Sequence, residues 1–271
     1  MGANMERPPS RLVTSKLSDR SLQTALLRIV PLAIFALGWE LVARRLNSLL
    51  LPRFSATIAA LLQLVTSRPL WEAMWISNQA MVLGFMLASL LGILLGLLIG
   101  RWRAAERFLD PYLTILLVTP KSALLPLVIM AAGLGLVSRV LVTFTYAVVV
   151  IMVTVRAGVR TIDPDWIEMA RSFGASEGQV WRKVLLRGAL PAILTGLRLG
   201  LARAVTGMIM LELTFIALGL GRLLLGFEEA FDSASLYATV LVIVGEAVVL
   251  LSLSERLERR MAPWSGQAMV G

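Results

Sequence analysis

Apolar side chains in this chain come in unbroken runs, not at every second or every third-to-fourth position. Between Ala80 and Gly100 the one strongly polar side chain is Ser89. At about 1.5 Å per residue, a helix of that length crosses a hydrocarbon layer of about 30 Å. Weighing apolar length against interruptions gives six spans, near residues 27–44, 79–100, 112–137, 139–157, 189–216 and 236–253. Helices satisfy their own backbone groups in lipid, so the pattern predicts an all-α membrane protein. The third span is the least regular: Pro120 and Pro126 each remove a backbone donor, and Lys121 places an ammonium at membrane depth. Such a segment cannot face lipid throughout. Gly92, Gly96 and Gly100 on the second span, and Gly196, Gly200 and Ala204 on the fifth, repeat small residues every four positions, which predicts close helix–helix approach. Residues 46–78 form a first segment outside the spans, with Trp71 and Trp75 as interfacial anchors.

Composition agrees with this pattern and narrows the chemistry. The 271 residues are 58% hydrophobic and 16% charged, with a mean hydropathy of +0.81. There is no Cys and no His. That removes disulfides, thiolate or imidazole metal ligands and the commonest general base, so neither a catalytic nor a metal site is expected. The net charge of +9 reads as orientation, not as nucleic-acid binding. An even number of spans puts both termini on one side, and with the N-terminus inside, basic residues divide sixteen to six in favour of the cytoplasm. The Arg44–Arg45 pair is an exception on the outer side. The mixed, basic stretch from Met1 to Arg28 leads into apolar sequence without a small-residue cleavage site, so no removed signal peptide is expected. The chain then divides into an N-terminal cytoplasmic segment (1–26), a transmembrane domain (27–253) with a long loop at 158–188, and a cytoplasmic tail (254–271).

The loop carries local signals of its own. Asp163 followed by Pro164 is an N-cap with proline at the first helical position. Gly174 supplies a left-handed stop after Phe173, and Ser176 with Glu177 starts a further helix running to about Leu186. The expected result is an elbow projecting into the cytoplasm. Phe173, Ala170 and Ala175 form its small apolar knob, ringed by Glu168, Arg171 and Arg182, of a kind that seats in a partner's groove.

This loop resembles the cytoplasmic signature of the permeases of binding-protein-dependent ABC importers: Glu-Ala-Ala, three residues, Gly, nine residues, then Ile, any residue, Leu-Pro. Here Glu168, Met169 and Ala170 are followed by Gly174 and by Val184, Leu185, Leu186 and Arg187. Met169 replaces the first alanine, and Arg187 stands where the proline would be, with Pro191 four residues on. The resemblance extends to Pro120–Pro126, Gly133–Gly135, Leu190–Arg198 and Glu212, covers roughly residues 80–253, and looks most like the nitrate, sulfonate and taurine branch. It implies a type I importer permease of the bacterial inner membrane, a homodimer with the pathway between two copies. It further implies a cytoplasmic ABC ATPase dimer that binds the ATP, and an extracytoplasmic solute-binding protein. The elbow would be the coupling helix, with Glu168, Ala170, Arg171, Phe173, Gly174 and Ala175 docking on the ATPase. The chain has no Gly-x4-Gly-Lys-Ser/Thr loop, so no cofactor is expected in it.

Ionisable groups inside spans cost a few kcal/mol each and so need partners, water or an interface. Glu40 lies four residues before Arg44, the spacing of a helical pair, and Glu246 calls for a basic partner on a neighbouring span. Lys121 and Arg198 fall near the cytoplasmic ends, where snorkelling explains them as well as function does. Arg203 lies nearer mid-span and about 13 Å along the helix from Glu212, too far for direct contact. Lys121, Arg198, Arg203 and Glu212 are therefore the candidates for a pathway suited to a small anionic solute. The competing reading is an autonomous secondary transporter or channel, which would need its own ion relay.

Overall fold

The computed structural model describes residues 30–262, and all regular structure among them is helical. Helix α1 covers 30–46. It is followed by α2 (Phe54–Thr66), α3 (Arg68–Arg101) and α4 (Arg103–Val118). A 3-10 turn (Lys121–Leu124) leads into α5 (Leu125–Ala132), then α6 (Leu136–Arg160) and α7 (Pro164–Ser172). The short α8 (Glu177–Gln179) runs through a π-helical turn (Val180–Leu185) into α9 (Leu186–Thr214), and α10 (Gly219–Glu229) and α11 (Ser233–Met261) follow. Four stretches of helix are long and apolar enough to cross a membrane: Arg68–Arg101, Leu136–Arg160, Glu177–Thr214 and Ser233–Met261. The bent pair Arg103–Val118 and Lys121–Ala132 makes a fifth. The first expected span begins outside the described residues, and its described part is helical to residue 46.

The third expected span, 112–137, is not one helix. The ring of Pro120 crowds the residue before it, and Thr119 takes extended dihedrals (φ −62°, ψ 125°) that close α4. The chain bends by 90° before continuing. Pro126 interrupts nothing, because it occupies the first turn of α5, where no helical donor is needed.

Helix α6 is the centre of the fold. Gly84, Gly92, Gly96 and Gly100 of α3 meet Thr143, Ile151, Val155 and Val159 in step, so the two helices run parallel. A Cβ on Gly92 would lie 2.9 Å from the Ile151 Cβ, and one on Gly96 2.8 Å from the Val155 Cβ, so no larger residue fits this approach. On another face of α6, Gly196 meets Thr154 and Gly200 meets Ile151, with α9 running antiparallel. Both small-residue repeats legible in the sequence thus pack on one helix, where van der Waals contact replaces the hydrophobic drive that lipid cannot supply. Ala80, Ala88, Ala147, Ile151, Val155 and Ala204 are buried along these seams.

Helix α11 is peripheral: its membrane-length window is 11% buried, against 56% for α6. The α7 elbow stands at one end of the bundle. Helices α2 and α10 and the start of α3 form the other, where Trp71 and Trp75 are exposed as expected of interfacial anchors.

Candidate coupling elbow and translocation face

The elbow is built by capping at each turn. The Asp163 carboxylate accepts the Asp165 N–H at 3.0 Å and Pro164 fills the first helical position of α7. Past Phe173, Gly174 reverses the chain at φ 78°. Its N–H bonds the Arg171 carbonyl, and the Ala175 N–H reaches back to the Ala170 carbonyl at 3.0 Å, the paired closure of a left-handed helix stop. Ser176 and Gln179 then cap one another reciprocally, the Ser176 N–H donating to Gln179 Oε1 at 2.9 Å. Arg171 donates through Nε and Nη2 to Glu177 Oε1 at 2.9 and 2.6 Å, clamping the two arms together.

The knob differs in membership from the sequence expectation. Phe173 is 87% exposed, and Trp166 and Met169 stand out beside it. Ala170 and Ala175 are half-buried and pack with Ile167 and Trp181 against the core, so they form the floor beneath the knob. Glu168 and Arg182 are exposed, whereas Arg171 is engaged with Glu177. Trp166 and Met169 were legible as apolar residues on the same short helix as Phe173, but the signature drew attention to the alanines instead.

The second arm does not stop near Leu186. It continues to Thr214, forming one helical run from Glu177. The wider i→i+5 turn at Val180–Leu185 brings residues five apart toward the same side, and both Val180 and Leu185 are buried at the base. Trp181 meets Trp102 edge-on at 6.3 Å between ring centroids. The second arm of the elbow is therefore continuous with a membrane-length helix.

The four charged candidates separate into two groups. Arg198 pairs with Glu258 of α11 at 3.4 Å, and Thr195 donates to the same carboxylate at 3.1 Å, tying α9 to α11 at the elbow end. Glu212 is 1% exposed. It accepts from Ser77 Oγ at 2.7 and 2.8 Å and from the Gly221 N–H at 3.2 Å, and lies 3.6 Å from Arg139 Nη2. Arg139 also donates to the Ile76 carbonyl, and the Leu220 N–H donates to Ser77 Oγ at 3.0 Å. Gly219, at φ 56°, leaves room for this clasp, since a Cβ there would fall 2.1 Å from Ser77 Oγ. Glu212 thus holds α3, α6, α9 and α10 together at the end opposite the elbow and opens onto no surface. Its partners Ser77 and Arg139 carry no signal in the sequence that would mark them, since both lie far from Glu212 along the chain.

Lys121 and Arg203 are placed differently. Lys121 sits away from the elbow end, with Nζ 5.9 Å from the ring centroid of Tyr146, near the middle of α6. Arg203 is exposed on a stripe of α9 with Leu199, Thr206 and Met210, the face turned away from the packed glycines. Arg203 is exposed and Lys121 half-buried, and neither makes an ion pair among the described residues. Elsewhere Glu40 pairs with Arg44 at 2.7 Å, as the spacing predicts, and also accepts the Ser55 N–H at 3.0 Å. Among the described residues Glu246 meets no cation but the side-chain amide of Asn78.

The structure is a bundle of membrane-length helices with one broken span and a capped elbow at one end. The family described as binding-protein-dependent transport system inner membrane component matches residues 88–263, and the chain belongs to it. The taurine transport system permease protein TauC of Escherichia coli (strain K12) is 31% identical, with 95% of this chain and 99% of that protein covered. The riboflavin transport system permease protein RibX of Chloroflexus aurantiacus is 34% identical over 74% of this chain and 75% of its own length. A solved structure of the MetNI methionine ABC transporter in inward-facing conformations shares the fold, with a TM-score of 0.60 at 22% identity over 73% of this chain and 96% of that one. The chain is an ABC importer permease, the membrane component of its system.

Proposed function

We propose that two copies of this permease face each other across the open stripe of α9 and the broken span, enclosing a pathway whose cationic lining of Lys121 and Arg203 passes a small anionic solute. The single observation that carries this reading is the Arg203 guanidinium, exposed well inside a membrane-length helix and without an ion-pair partner among the described residues. An unpaired charge there is unfavourable against lipid or a dry interface and favourable in a wet one that admits anions. TauC belongs to a taurine system, and taurine carries a sulfonate, which fits this lining. RibX serves riboflavin, so relationship alone does not fix the solute, and the charge of this face supports the sulfonate class.

In this reading the elbow end is cytoplasmic, in line with the excess of basic residues there. The knob of Phe173, Trp166 and Met169 docks on an ATPase dimer that binds and hydrolyses the ATP, while a solute-binding protein meets the α2 and α10 end. This chain contributes no catalytic group and no cofactor site. It alternates between two packings of the same helices, biased by whichever partner is bound. Arg198 and Glu212 hold the bundle and do not line the path.

Replacing Arg203 with alanine is expected to lower taurine uptake by reconstituted vesicles about tenfold, the equivalent of about 1.4 kcal/mol on the barrier. Dimer assembly should be unchanged, and Arg203→Lys should recover part of the rate because charge remains without the planar fork. Undiminished uptake by both Arg203→Ala and Lys121→Ala would remove this face from the pathway.

A further inference from the structure

The last turns of α11 carry mixed charges that the fold sorts into two sets. Glu255 is held by Arg259 at 2.6 Å, and Glu258 by Arg198 at 3.4 Å. Arg256 and Arg260, one helical turn apart on the same face, have no ionic or hydrogen-bonding partner among the described residues. Both stand at the elbow end of a groove between α3, α9 and α11 whose walls are Phe85, Leu197, Leu201, Leu250, Leu253 and Leu257. The groove opens beside the least buried of the membrane-length helices, and Leu253 and Leu257 on its wall are more than half exposed. Its walls match acyl chains. Its mouth matches an anion, because two guanidiniums at the level where helix meets headgroup can hold phosphate oxygens in forked hydrogen bonds.

We propose that this groove is a binding site for one anionic phospholipid, its chains laid along Leu201, Leu250 and Leu253 and its phosphate held by Arg256 and Arg260. The position has a consequence for the bundle. Arg198 of α9 lies beside this mouth through its pair with Glu258, so a bound lipid would brace α9, the helix continuous with the elbow, against α11.

The test is lipid retention by the purified permease in neutral detergent, read by native mass spectrometry with phosphatidylglycerol or phosphatidylcholine of identical chains. Each juxtamembrane arginine contributes about a fivefold preference for an anionic headgroup, so wild-type protein is expected to favour phosphatidylglycerol by about twenty-five-fold. Arg256→Gln/Arg260→Gln should erase that preference. Leu201→Trp, which fills the groove and leaves both guanidiniums in place, should reduce retention of both lipids. Arg103→Gln/Arg107→Gln, removing the same charge elsewhere at this end, should leave the preference intact. Equal retention of the two lipids by wild-type protein would overturn the proposal, as would an equal loss in the Arg103/Arg107 control, which would mark diffuse attraction to a basic belt. Displacement of the lipid by inorganic phosphate alone would assign the arginines to a free anion. If no lipid is retained and Leu201→Trp shifts protein from dimer to monomer, a second copy of the chain occupies the groove instead.

Discussion

Gly174→Asp should leave a permease that inserts and dimerises normally but loses at least about tenfold of its binding-protein-stimulated ATP hydrolysis, and transport with it. The left-handed backbone at φ 78° makes any Cβ cost roughly 1–2 kcal/mol. That is small against the roughly 5–15 kcal/mol that holds a domain together. Within the chain a Cβ at this position meets nothing within 4 Å, so the protein's own packing offers no further reason for loss. What remains is the surface that Gly174 presents to a partner beside Phe173, where a carboxylate adds bulk and charge at the centre of the docking contact. Gly174→Ala, with strain but no charge, should retain much of the activity, and Glu168→Ala should lose a milder share. Hydrolysis and transport measured in the same vesicles separate failure to dock from failure to couple. Wild-type values of both for Gly174→Asp would make the loop an ordinary connection.

The largest effect on stability is expected at the opposite end. Glu212→Ala removes the carboxylate that receives Ser77, the Gly221 N–H and Arg139, leaving a buried guanidinium and two buried donors without their acceptor. Breaking a buried pair in this way costs about 3–5 kcal/mol. The detergent-solubilised protein should unfold at a markedly lower temperature and yield less monodisperse material, whereas Glu212→Gln, which keeps the shape and an acceptor oxygen, should fall between. A wild-type melting profile for Glu212→Ala would return Glu212 to the solute pathway, where loss of transport without loss of stability is the expected signature.

The contrast between Glu212 and Arg203 shows where sequence reading runs out. Both are charged residues on one apolar helix, and nothing local distinguishes them. Their roles are set by partners 135 residues away for Ser77 on one side and by an open face on the other. Features whose causes are local were legible: the Asp163 cap, the Gly174 stop, the Glu40–Arg44 pair and the glycine seams of α3 and α9. That the third span breaks was legible from its prolines, but not which one breaks it: Pro120 follows a helix and bends the chain, while Pro126 starts one. The second arm runs on past the expected end near Leu186, and α9 carries Pro191 in its interior without a break. The 90° bend breaks the proportion between position in sequence and position along the bundle, so Lys121 lies beside Tyr146 near the middle of α6 and not at the elbow end.

The central claim is that the α7 elbow is the surface on which an ATPase acts. With no cysteine in the sequence, Phe173→Cys introduces a single unique thiol at the tip of the knob. In sealed vesicles of known orientation, containing the permease with a co-expressed ABC ATPase, a short bifunctional reagent should join this thiol to the ATPase from the cytoplasmic face, with a yield that changes between nucleotide-free and ATP-bound states. Modification of the thiol from the outer face, or a cytoplasmic thiol that never joins the ATPase in either state, would contradict the account.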